Sequence, residues 1–219
     1  MSLGAWFVLS DTFYHTLPTR PAPSSFDSIV PTALKTRPTI LFFHGNAAAR
    51  AAPFRVATYS ALSSRLAANV LVVDYRGFGD STGKPSPDGL ACDARTTWNW
   101  LINAGANPAD VLVVGHSLGT AVAARLAAEL GHEDVPLRGL VLLSPFSSMR
   151  TLLDTYAILG IFPFGMPLTF IPGASSEYVT RRTAIRFQQP CRVRDLVSKT
   201  SIRHATINNS QSFMSNYCC

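Results

Sequence analysis

The residues of this chain best suited to covalent chemistry are Gly115-His116-Ser117-Leu118-Gly119. The preceding run, Asp110-Val111-Leu112-Val113-Val114, is short, apolar and β-branched, and reads as a buried strand. The stretch after it, Thr120 to Leu130, is rich in Ala and Leu and reads as a helix. A strand, G-x-S-x-G and a helix in that order make a nucleophile elbow, a turn sharp enough to lift Ser117 Oγ clear of a sheet. The two glycines leave room for the crowded backbone. The helix N-terminus beneath the hydroxyl favours developing negative charge. A serine so placed suits acyl transfer, provided it has an oxyanion hole, a base and an acid that orients the base. The competing reading is a Gly-rich strand-to-helix turn whose serine is idle.

The oxyanion hole can be read from the sequence. One donor is the N–H of Leu118, the residue after the nucleophile. The second is predicted to be the N–H of Asn46. It lies in the turn Phe43-His44-Gly45-Asn46-Ala47, at the end of the apolar run Thr39–His44. Such donors are each worth about 3–4 kcal/mol of transition-state stabilisation. His44 is expected to fix that turn rather than act as the base. His132 lies roughly 20 Å from Ser117 along the predicted helix, too far to serve. Asp74-Tyr75-Arg76-Gly77-Phe78-Gly79-Asp80-Ser81 carries a Gly-x-Gly. A dinucleotide fingerprint needs a helix opening at its glycines. Here Gly83-Lys84-Pro85-Ser86-Pro87 follows, so the segment reads as a tight loop beside the oxyanion turn. No cofactor and no metal is expected.

These loops need a scaffold, and the pattern supplies one. Apolar runs at Thr39–His44, Val70–Tyr75, Val111–Val114 and Gly139–Leu143 alternate with helical patterns at Phe54–Leu66, Leu90–Ile102 and after Ser117. Continuous Val/Leu/Ile strands separated by helices indicate an α/β protein with a mostly parallel sheet covered on both faces. After Leu143 the alternation stops. Residues 146–180 are apolar and broken by Pro and Gly, and read as a partial cap suited to an acyl chain or as packing on the core. Residues 1–180 carry equal numbers of acidic and basic side chains. Residues 181–219 carry seven basic residues and one acidic one, and so hold the whole net charge of +6. A basic tail could meet an anionic membrane surface or nucleic acid, but this one lacks the aromatic interleaving of a stacking platform and reads as a change in the kind of sequence rather than as a binding module. The four cysteines show neither metal-ligand spacing nor a disulfide framework. No signal peptide is evident, and no segment reads as a transmembrane helix.

Together, His44-Gly45-Asn46, the Asp74–Ser81 loop, the Ser117 pentapeptide and Leu142-Leu143-Ser144-Pro145-Phe146 resemble the α/β-hydrolase superfamily, in its order. They are most similar to the membrane-associated monoacylglycerol and lysophospholipid lipases of the abhydrolase-domain group, often found at the endoplasmic reticulum. Gly4-Ala5-Trp6 also fits that branch. The resemblance covers residues 1–180 and leaves 181–219 as a non-family tail. It implies an α/β-hydrolase fold, incomplete after the fourth recognisable strand. It implies a serine hydrolase of lipid-like carboxylic esters, with a small acyl-ester substrate, a Ser117 acyl-enzyme and oxyanion donors at Asn46 and Leu118.

The family order Ser, Asp/Glu, His leaves two places to fill. Asp195 and His204 are the only late Asp and His, and are weak candidates. They lie nine residues apart, too close for the crossover of a dozen or more that would let them take both family positions. Asp154 falls in the cap region, and Ser144 stands where some hydrolases keep their acid. The expectation is a chain truncated on its C-terminal side. The alternative is a catalytically impaired fragment with a lipid-binding or regulatory role. A peptidase or thioesterase on the same scaffold is a third reading, disfavoured by the apolar cap.

Overall fold

The computed structural model describes residues 1–19, 26–46 and 48–146, and the backbone of two short pairs, 157–158 and 162–163. A sheet of five strands organises them: β1 (Ala5–Val8), β2 (Thr39–Phe43), β3 (Asn69–Val73), β4 (Val111–His116) and β5 (Gly139–Leu143). Helices α1 (Asp11–Tyr14), α2 (Phe26–Thr36), α3 (Pro53–Arg65), α4 (Pro87–Asn103) and α5 (Leu118–His132) connect them. The spatial order is β1-β3-β2-β4-β5. β1 runs antiparallel to β3, and the other pairs are parallel.

The two-residue period of a strand divides the core into two layers. Leu41, Phe43, Leu71, Val73, Val111 and Val113 face one side, against apolar residues of α2, α4 and α5. Ile40, Phe42, Val70, Val72 and Val114 face the other, where Tyr59 of α3 packs on them. Every residue of β2 and β3 is buried, which is why these strands read as unbroken apolar runs. β5 is half-buried and ends on Leu143, 42% exposed. No helix among the described residues is long and apolar enough to cross a membrane.

The four parallel strands lie where the alternation predicts them. Two things differ from expectation. The sheet has a fifth strand, β1, and two helices, α1 and α2, precede β2. β1 is only four residues long and hydrogen-bonds on one side, so its pattern is too brief to read. α2 contains Pro31, which breaks a helical pattern on inspection. Yet Phe26, Val30, Ala33 and Leu34 fall at i, i+4, i+7 and i+8 and are buried. α4 begins at Pro87, three residues before the predicted start. Ser86 caps it by accepting the Gly89 N–H, and Pro87 sits at its first position. Within the cap region, Ala157–Ile158 and Phe162–Pro163 pair antiparallel. The rest of that region lies outside the described residues, as do Asp154 and the tail.

The topology places the candidate site. β3 lies on one side of β2 and β4 on the other, so the chain reverses its direction of winding at β2. Crevices at such a point, beyond the carboxyl ends of the strands, are where open α/β sheets bind ligands. Phe43 of β2 is in register with Gly115 of β4. The turn after β2 and the turn after β4 therefore leave the sheet side by side.

Candidate active site

Ser117 stands between β4 and α5 with φ 51° and ψ −118°, a backbone conformation rarely adopted by a residue with a side chain. Strain of this kind costs about 1–3 kcal/mol and persists only where the surroundings over-determine it. They do so here. The Ser117 N–H donates to the Leu143 carbonyl at 3.0 Å. Its carbonyl accepts from Thr120 N–H at 2.9 Å and from Thr120 Oγ1 at 2.6 Å. Both elbow glycines are required by close approach. A Cβ on Gly115 would lie 2.4 Å from the Gly119 carbonyl oxygen, and one on Gly119 would lie 2.0 Å from that of Phe43.

Leu118 is the first residue of α5, so its N–H has no partner within the helix and is free to donate outward. Across from it, Gly45 presses on the elbow: a Cβ there would sit 3.2 Å from Ser117 Cβ and 3.3 Å from His116 Nδ1. Asn46 follows Gly45 and is exposed. The structure thus brings the Ser117, Leu118 and Asn46 backbones to one sheet edge. His132 ends α5, away from that edge. Asp195 and His204 lie outside the described residues. Among the described residues, none hydrogen-bonds Ser117 Oγ.

Behind the turn that carries Gly45 and Asn46 lies a buried polar network. His44 is fully buried, its Nδ1–H donating to the Gly45 carbonyl at 2.8 Å. Its Nε2 lies 2.9 Å from Asp74 Oδ1, in contact but not aligned as a hydrogen bond. Tyr75 donates its hydroxyl to the His44 carbonyl at 2.8 Å, and the Tyr75 and Phe78 rings enclose the imidazole. Tied through Nδ1 and through its own carbonyl, His44 braces the turn, the role expected of it from the sequence.

Asp74 binds Arg50 twice, through the Arg50 N–H at 2.7 Å and through its guanidinium. The same guanidinium forks onto Asp80 at 2.6 and 2.8 Å and lies over the Trp6 ring. The Gly-x-Gly of this loop serves the network. Gly79, at φ 52°, passes so close to Asp74 that a Cβ would be 2.1 Å from Oδ2. The loop is the tight one predicted, and α4 opens only at Pro87, well past its glycines. Gly4 is explained too, because a Cβ there would strike Asp80 and Arg50.

Burial lowers the Arg50 pKa, but hydrogen bonds and charge from Asp80 and Asp74 outweigh it and raise the value overall. The Arg50 hydrogen bond in turn holds the Asp80 carboxyl below its ordinary range. A depressed carboxylate stabilises the fold above its unfolded pKa, about 3.9, and that contribution is lost as pH falls through the folded value. Urea midpoints are therefore expected to fall more steeply in wild type than in Asp80→Asn as pH drops from 5 to about 2. Parallel curves would refute this. The half-exposed Asp80 makes the effect small. Asp74→Ala is expected to act more strongly, because it strips a carboxylate that is 1% exposed from Arg50 and His44. Arg50 keeps Asp80, so the loss is placed at the lower end for a broken buried pair, about 3 kcal/mol by urea unfolding.

Sequence reasoning missed Arg50 and Arg55. The one signal for them is two arginines set within the largely apolar stretch from Ala47 to Val56. Arg55, 5% exposed, donates from Nη1 to the Ala48 carbonyl and from Nη2 to the Gly45 carbonyl, both at 2.8 Å.

Residues 40–209 match the family model described as "Alpha/beta hydrolase family". Over 173 residues the chain is 36% identical to lysophosphatidylserine lipase ABHD12 of Bos taurus, covering 78% of this chain and 41% of that protein. It is 42% identical over 126 residues to protein ABHD12B of Homo sapiens, covering 57% and 34% respectively. The chain thus spans less than half the length of the curated relatives it matches. A solved alpha-beta hydrolase from Vibrio vulnificus is similar at 30% identity with a TM-score of 0.50, over 64% of this chain and 50% of that one.

Proposed function

We propose that this chain, which belongs to the alpha/beta hydrolase family, cleaves carboxylic esters of lipid-like substrates, monoacylglycerols or lysophospholipids, through an acyl-enzyme on Ser117. The observation that carries the proposal is the strained elbow at Ser117, over-determined by Leu143 and Thr120 and pressed against the Gly45 turn. Ser117 Oγ attacks the ester carbonyl as a general base takes its proton. The Leu118 and Asn46 N–H groups receive the oxygen as it becomes an alkoxide. Collapse expels the alcohol, which takes the proton. Water then adds to the acyl carbon by the same route, releasing the fatty acid and restoring the serine. Among the described residues none hydrogen-bonds Ser117 Oγ to serve as its base; Asp195 and His204, outside them, stand as weak candidates, too close in sequence to fill both family positions. The lipid preference is supported by the lysophosphatidylserine lipase relative and by the apolar sequence of residues 146–180.

The test is a fluorophosphonate probe on the full chain, with the labelled peptide located by mass spectrometry, beside a panel of esters, thioesters and amides. Labelling at Ser117 and preferential cleavage of monoacylglycerol or lysophospholipid esters are expected. A folded sample that neither labels nor turns over excludes this function and leaves the lipid-binding or regulatory alternative. Preference for amides or thioesters replaces the substrate class.

A further inference from the structure

The Gly45 carbonyl accepts two hydrogen bonds at 2.8 Å, from His44 Nδ1 and from the Arg55 guanidinium. That carbonyl belongs to the same peptide unit as the Asn46 N–H. In a planar trans peptide the C=O and N–H point in opposite directions. Holding the oxygen from behind therefore fixes where the Asn46 N–H points. The second arm of Arg55 ties down the Ala48 carbonyl two residues further on, so one rigid fork spans both ends of the turn. Among the described residues, nothing accepts the Asn46 N–H. A cation on the carbonyl also polarises the peptide and strengthens its N–H as a donor.

We infer that Arg55 is a positioning residue for the oxyanion hole, aiming and polarising the Asn46 N–H through the Gly45 carbonyl without touching substrate. This rests on the Ser117 ester-hydrolase reading above. Arg55 reaches the turn from α3, so the accuracy of the donor is set by how α3 packs on the sheet through Tyr59. His44 supplies one half of the clamp, from within the turn, and Arg55 the charged half, from α3.

The experiment measures kcat and KM for the full chain on a matched oxoester and thionoester, in wild type, Arg55→Met and Arg55→Lys. Sulfur accepts hydrogen bonds weakly, so the thionoester draws little on the oxyanion hole. Arg55→Met is expected to lower kcat on the oxoester about 10- to 100-fold, part of the 10²–10³-fold loss seen when such a donor is removed outright. KM should stay within about twofold, and the thionoester rate should fall far less, so that the oxo-to-thiono ratio collapses. Arg55→Lys, a point charge without the fork, should fall between. An equal loss on both substrates at constant ratio overturns the inference and makes Arg55 a purely structural residue. If Arg55→Met does not fold, Arg55→Lys carries the same ratio test. The ¹³C resonance of the Gly45 carbonyl gives a readout independent of turnover. It should move upfield in Arg55→Lys, and an unmoved resonance also overturns the inference. A wild-type chain that shows no turnover defeats the ester-hydrolase reading by itself, and the carbonyl resonance then decides whether Arg55 holds that peptide.

Discussion

Ser117→Ala is expected to abolish fluorophosphonate labelling and to cut ester turnover by up to about 10⁶-fold, with the urea midpoint unchanged. The fold should tolerate the change. Alanine meets the same backbone strain at φ 51° that serine does, and the bonds holding the elbow use the Ser117 main chain rather than its hydroxyl. The size of the loss carries information. Serine hydrolases stripped of a triad member keep about 10³–10⁴-fold catalysis over water from the oxyanion hole and binding. That residue of activity survives in Ser117→Ala as well. A wild-type rate far above the variant's therefore requires that Ser117 be activated by a base. A ratio near one, on an ester that the chain does hydrolyse, removes Ser117 from the mechanism. Running His204→Ala and Asp195→Asn beside it tests whether either weak candidate serves as the base. The variant that falls to the Ser117→Ala level identifies the base, and two unaffected variants clear both residues of that role.

The parts of the site legible in the sequence are those whose chemistry is local. Ser117, Gly115 and Gly119 act within five residues of one another, and the strand and helix flanking them are periodic enough to read. The parallel strands are legible for a related reason: buried on both faces, they carry apolar residues without interruption. What could not be read depends on partners remote in sequence or without side-chain identity. Arg50 joins Asp74 and Asp80, 24 and 30 positions away. Arg55 acts on two backbone carbonyls, and any residue would present a carbonyl at positions 45 and 48, so no motif records the contact. β1 was hidden by its brevity and α2 by Pro31, which a propensity argument rejects although the buried face of the helix keeps its spacing.

One consequence is that much of what resembles a recognition motif here is support for a turn. The Asp74–Ser81 loop contributes Asp74 to Arg50, Asp80 to the same guanidinium, and Tyr75 and Phe78 to the walls around His44. Ser81 Oγ donates to the Asp74 carbonyl at 2.6 Å and accepts the Gly4 N–H at 2.9 Å, joining the loop to the start of β1. The turn proposed to carry the oxyanion donor is thereby held by hydrogen bonds from α3 and from the β3 loop together. For the acyl transfer proposed above, this arrangement matters because donors aimed beforehand cost no reorganisation as the charge develops.

Gly119→Ala and Gly131→Ala make the same change on the same helix and are expected to act with opposite sign. Both glycines lie in α5 at negative φ, so neither needs the left-handed conformation that only glycine adopts cheaply. Helix propensity alone favours alanine at each by about 1 kcal/mol. At Gly131 the added Cβ meets nothing within 4 Å, so that gain should appear as a higher urea midpoint. At Gly119 the Cβ would lie 2.0 Å from the Phe43 carbonyl oxygen and 2.5 Å from the Phe43 carbonyl carbon. Both are backbone atoms, at the end of a strand whose every residue is buried. No side chain can rotate away to relieve the contact. To reach ordinary van der Waals distance, the start of α5 must withdraw from β2 by more than 1 Å. That movement opens the core beneath Val122 and Leu126, and drags Ser117 and Leu118 off the oxyanion turn. Overpacking that side chains can absorb costs about 1–3 kcal/mol. With rigid backbone on the other side, the loss is placed above about 4 kcal/mol, a large share of the 5–15 kcal/mol that holds a domain together. Urea unfolding of the two variants against wild type measures both signs. A Gly119→Ala protein as stable as wild type would show that α5 does not pack against β2 as closely as the strand register and the Ser117 strain require.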